Sequence, residues 1–187
     1  MPEVQQAIAY GLAHPNINLG LGLGKWHRRC RNSKDHDSEC GFQIVAQGPY
    51  GRVVTAASAK AAQYLPFTAD SVTAEMRSPV LTIQATPTAP EFEGRWRQSP
   101  PVQRIVLQVK APRGETGAVV QPLAVRTYPM RWTNALGGVF DGQGAIAVFD
   151  LNQVPAGDFD VVLVTGGREV RATVGARDWQ RAAAALR

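Results

Sequence analysis

Four side chains in one polar stretch have the chemistry to hold a metal: His27, Cys30, His36 and Cys40, spaced H-x2-C-x5-H-x3-C. Zinc accepts neutral imidazole and thiolate together in a tetrahedron, and a compact site needs short spacings at both ends of a small loop. Asp35, Asp37 and Glu39 add anionic oxygen, which would attract a cation and would equally keep an empty loop in water. Zinc knuckles usually begin with two cysteines, however, and this order of His and Cys is not a standard pattern. The same cysteines allow a Cys30–Cys40 disulfide, worth about 2–3 kcal/mol in an oxidising compartment, and reduced thiols are the third reading. Pairing of Cys30 with Cys40, with no zinc or other cofactor, is the expectation. Zinc would further require His27 and His36 to turn inward, each with its tautomer fixed by a second partner.

Other constellations carry less chemistry. All three histidines, His14, His27 and His36, fall in the first 36 residues, and neither G-x-S-x-G nor H-E-x-x-H occurs, so no catalytic role is expected for any residue. Asp150, Asp158 and Asp160 flank a turn without the spacing of a calcium loop and read as solvated turn residues. Gly20, Gly22 and Gly24 before Lys25 lack the spacing of a phosphate loop and read as one bare face of a strand. Arg95, Trp96 and Arg97, with Arg131 and Trp132, are the candidates for a basic, aromatic partner-binding surface. As core anchors, the two tryptophans would be flanked by arginines snorkelling to water. The formal charge of +5 is spread as single arginines, Arg52, Arg77, Arg104, Arg126 and Arg168, rather than clustered as a nucleic-acid footprint.

The elements that must position these residues follow from periodicity. Val4, Ile8 and Leu12 at i, i+4, i+8 predict a helix over residues 3–13, ended by His14-Pro15. Alternation predicts strands over 17–24 and 42–47, joined by a long polar loop from Lys25 to Gly41. Val54, Ala57, Ala61 and Leu65 predict a helix face ending at Pro66, and Thr68, Asp70 or Ser71 can cap a further turn of helix. From Val80 alternation takes over: VLTIQAT, RIVLQVK, one or two strands within 118–132, and three from Gly144 to Val174. Pro122 and Pro129 suit edges, because proline cannot donate to a ladder. Gly166-Gly167 suits a two-residue hairpin turn, and Asn134–Gly144 reads as a loop. RDWQRAAAALR predicts a closing helix.

The expected fold is therefore mainly β with an α+β N-terminal part. It comprises a small unit over 1–78, an antiparallel β-sandwich of about seven strands over 79–177, and a helix over 178–187. No run of about 18 apolar residues offers a membrane span. Met1-Pro2-Glu3 opens on no leader, so the chain is either cytosolic or supplied without one.

Within the sandwich, Phe149-Asp150-Leu151, Val154-Pro155-Ala156-Gly157 and Phe159-Asp160-Val161 resemble the closing hairpin of transthyretin-like or carboxypeptidase-regulatory-like immunoglobulin-like sandwiches. The resemblance covers about a tenth of the chain. It implies a non-catalytic accessory module of the cell envelope or of a secreted protein, periplasmic, outer-envelope or extracellular, binding a protein or carbohydrate partner. The alternative is a small metal-binding regulator or nucleic-acid binder built on the His27, Cys30, His36 and Cys40 loop.

Overall fold

Alternating apolar side chains can bury only one face of a strand, so each strand of this chain needs a second layer to cover it. In the computed structural model, residues 2–18, 21–31, 37–88, 101–111, 117–133 and 139–177 are described, with the backbone alone over 21–31 and 37–41 and at 88, 132, 140 and 168. Strands β1 (Leu21–Arg31), β2 (Asp37–Gln47), β3 (Val80–Thr88), β4 (Val102–Val109), β5 (Val119–Val120), β6 (Ala124–Thr133), β7 (Val139–Asp150), β8 (Phe159–Thr165) and β9 (Arg168–Val174) form two sheets. The first has the order β1-β2-β3-β7-β6 and the second β5-β4-β8-β9. Among the described residues every strand pair is antiparallel.

The two inner faces share one hydrophobic cluster. Phe42, Ile44, Leu81, Ile83, Ala145, Ala147 and Phe149 come from the first sheet, and Ile105, Leu107, Phe159, Val161, Leu163, Ala172 and Val174 from the second. Each set recurs at every second position, the spacing a half-buried strand requires. Seven strands, β3 to β9, lie between Val80 and Val174, in keeping with the number expected there.

Helices α1 (Pro2–Ala13), α2 (Pro49–Ala62) and α3 (Ala74–Arg77) stand apart from that cluster. With Phe67 and Val72 beside them, Ala7, Ile8, Val53, Val54 and Ala57 form a second core. Ser58 is fully buried there, and its hydroxyl accepts from the Ile17 amide and donates to the His14 carbonyl, both at 2.8 Å. Of the expected helix faces, Leu12 and Leu65 remain exposed. Thr68 and Ser71 form a reciprocal capping box on a 3-10 turn at Ala69–Ser71, while Thr73 caps α3.

Several expectations change. The polar stretch from Lys25 to Gly41 is not one long loop: β1 runs on to Arg31 and β2 starts at Asp37. The strand expected over 17–24 starts at Leu21, and its register shifts between Gly22 and Gly24, as a bulge at bare positions would. β2 pairs with β3 from Gly41↔Thr88 to Gln47↔Thr82, so the N-terminal hairpin belongs to the same sheet as strands beyond residue 79. β7 begins at Val139, inside the stretch read as a loop. β7 and β8 lie in different sheets, so the turn through Pro155 is a crossover between sheets rather than a hairpin. Gly166-Gly167, with φ of 55° and 72°, does join β8 to β9 as a tight hairpin. β6, which carries Pro129, forms an edge. The expected closing helix lies outside the described residues.

Candidate functional site

Because Phe42, Ile44, Leu81, Ile83, Ala145, Ala147 and Phe149 point into the core, their neighbours in β2, β3 and β7 form the opposite face of the first sheet. The register arranges that face in rows across the strands. Tyr128 of β6 lies opposite Gly144 of β7, and Gln43 of β2 lies opposite Thr86 of β3. Ala85↔Ala145 brings Thr86 level with Gly144, so Tyr128, Gly144, Thr86 and Gln43 make one row. Arg126, Ile146, Gln84 and Val45 make the next, and Ala124, Val148, Thr82 and Gln47 the third.

The first row has an unusual shape because its second member has no side chain. Tyr128 lays its ring over Gly144, where an added Cβ would run into the ring and lie 2.5 Å from its hydroxyl oxygen. Across that gap the phenol reaches β3. Gln84 Nε2 donates to Tyr128 Oη at 2.9 Å, and the Thr86 and Tyr128 hydroxyls are 3.0 Å apart. Gln84 Nε2 also lies 3.4 Å from Thr86 Oγ1. Either hydroxyl can donate to the other, so one hydroxyl proton of the pair, together with Gln84 Oε1, has no partner among the described residues. Gln43, Gln84 and Arg126 are exposed, and Tyr128 and Thr86 are partly exposed.

Helix α2 walls one end of this face. Gln47 Nε2 donates to the Gly51 carbonyl at 3.1 Å and to Thr55 Oγ1 at 2.8 Å. Arg52 donates to the Val80 carbonyl at 2.9 Å, the Ser78 carbonyl at 2.5 Å and Thr82 Oγ1 at 3.3 Å. Burial holds the Arg52 guanidinium below its ordinary pKa, with Glu75 acting in the opposite direction. The Tyr128 row lies four residues along β3 from Thr82, about 13 Å at the rise of a strand. The face is thus a mixed floor, polar along the Tyr128 row and half apolar through Ile146, Val45, Val148 and Ala124 in the next two rows, with a helical wall at one end.

His27 sits opposite Gly41, Cys40 opposite Arg28 and Cys30 opposite Ser38, which puts the two cysteines one diagonal step apart along the β1–β2 ladder. Their side chains, and His36 altogether, lie outside the described residues, as do Arg95, Trp96 and Arg97. Arg131 is exposed and paired with Asp141 at 2.7 Å, and Trp132 lies opposite Phe140 in the ladder. The hydrogen bond from Arg131 holds the Asp141 carboxyl below the usual carboxylate range, and Asp141 in turn raises Arg131.

Asp150, Asp158 and Asp160 do not converge. Asp150 Oδ1 accepts from the Asn152 amide, Asp158 Oδ1 from the Ala176 amide and Asp160 Oδ1 from the Thr173 hydroxyl. Among the described residues no three His, Cys, Asp or Glu side chains gather in a cation site. One further concavity, of about 210 Å³, opens between the helices, with Val4, Ala7, Tyr50, Val53 and Met76 as walls and Glu3 and Arg77 at its rim.

Sequence reasoning missed Tyr128, Gly144, Gln84, Thr86 and Gln43. Their common signal is a tyrosine placed to cross a glycine in the neighbouring strand, which becomes visible only once the β6–β7 register is fixed. No family model, no curated protein and no solved structure matches the chain.

Proposed function

We propose that the chain is a non-enzymatic β-sandwich binding module that takes a protein or carbohydrate partner on the outer face of its five-stranded sheet. The observation that carries this is the Tyr128 ring, held over Gly144 by hydrogen bonds to Gln84 and Thr86. A side chain locked in place in the free protein loses little conformational freedom when a partner settles on it, which favours binding. The shared core of the two sheets supports the sandwich, and the transthyretin-like resemblance around Phe149 to Val161 supports a place in the cell envelope or outside the cell.

The test is a photo-reactive benzophenone side chain introduced at exposed position 126, one row from Tyr128 on the same face, and, as a control, at position 171 on the outer face of the second sheet. Adducts formed by native extract from position 126 and not from 171 are expected. Adducts from 171 alone would move the binding surface to the other sheet. Turnover in a hydrolase screen that one substitution abolishes would remove the non-enzymatic part.

A further inference from the structure

We infer that the partner of this face is a glycan, one sugar ring of which stacks on Tyr128; the inference rests on the binding-face proposal and narrows its ligand class. The tyrosine ring lies over the Gly144 backbone and is partly exposed. Sugar rings carry an apolar face of C–H groups, each slightly positive, which suits the negative face of an aromatic ring. Ordinary apolar side chains would want a continuous stripe, but the Tyr128 row offers a ring flanked by amides and hydroxyls.

The leftover hydrogen-bonding groups match that chemistry. The Tyr128–Thr86 hydroxyl pair has one proton to give and Gln84 Oε1 a lone pair to offer beside it. Gln43, opposite Thr86, adds an exposed amide with both a donor and an acceptor. Sugar hydroxyls on neighbouring carbons each donate and accept, so alternating donors and acceptors beside a stacking surface recognise them in pairs. No carboxylate stands in the Tyr128 row from β6 to β2; the register continues that row onto Lys25 of β1, and Arg126 lies one row away. The ring with its amides and hydroxyls suits the neutral hydroxyls of a glycan, whereas binding to a nucleic acid would fall steeply with added salt.

Native electrophoresis through gels containing hydroxyethylcellulose, xylan, galactomannan, glycogen or polygalacturonate tests the inference, using the full chain. Retardation in at least one neutral polysaccharide is expected, unchanged by added salt. Tyr128→Ala should weaken it about tenfold or more, a stacking contribution of roughly 1–3 kcal/mol. Tyr128→Phe keeps the ring and should retain most of the affinity. Gln43→Ala, an exposed position whose loss leaves the fold alone, should weaken binding by several-fold and guards against misfolding of the tyrosine variant. Retardation that survives both alanine variants overturns the inference, as does retardation confined to polygalacturonate and lost in salt. If no gel retards the protein while a benzophenone at position 126 captures a protein that one at position 171 does not, the glycan fails and the binding face stands. If neither binds, both fail.

Discussion

Tyr128 and Gly144 depend on each other as a pair. A methyl group at position 144 would occupy the space of the Tyr128 ring, so Gly144→Ala should cost about 1–3 kcal/mol by overpacking and should displace the phenol from Gln84 and Thr86. Removing the ring removes the clash. In a double-mutant cycle by urea unfolding, Gly144→Ala should therefore cost much less in a Tyr128→Ala background, a coupling of roughly 0.5–3 kcal/mol. Strict additivity would mean that the ring does not lie over the glycine. Neither residue stands out in the sequence, because a glycine next to alternating residues reads as a loop end and Tyr128 precedes a proline. The pair's meaning lies in a cross-strand register. The four His and Cys residues were conspicuous by type instead, yet the backbone places them along two strands of a ladder rather than around one loop.

Among the elements, Arg52 links the helices to the sheet. Its guanidinium spans from α2 to the Ser78 and Val80 carbonyls and to Thr82, while the two hydrophobic clusters remain separate. Arg52→Met should lower stability by about 2–3 kcal/mol, since carbonyls that accepted charged hydrogen bonds lose their donor. Hydrogen exchange should report that loss mainly in α1 and α2, with β3, β7 and β8 keeping their protection; uniform loss across both sheets would contradict a local link. α1 and α2 were legible because their apolar residues recur at helical spacing, and β3, β4, β8 and β9 because alternation marks a strand with one face in the core. The part of β1 after Gly24 and the start of β2 were not, since KWHRRCR and DSEC offer no apolar face to alternate. β7 extends upstream of its legible part through Gly142 and Gly144, residues that periodicity scores as breakers and that the register with β6 uses as strand positions.

For the whole molecule, two antiparallel sheets bury one core between them and leave the outer face of the larger sheet bounded by α2 at one end and β6 at the side. The number of downstream strands could be counted from turn signals and alternation. How β7 and β8 divide between sheets could not, because a Pro-x-Gly turn serves a hairpin and a crossover alike. The central claim is that this outer face is the working surface. Amide chemical-shift mapping of the isotope-labelled chain, titrated with short oligosaccharides of whichever polysaccharide retards it, tests that claim most directly. Shifts concentrated at Gln43, Gln84, Thr86, Arg126, Tyr128 and Gly144 are predicted. Shifts gathered instead on β4, β8 and β9, or in the cleft between α1 and α2, would contradict it.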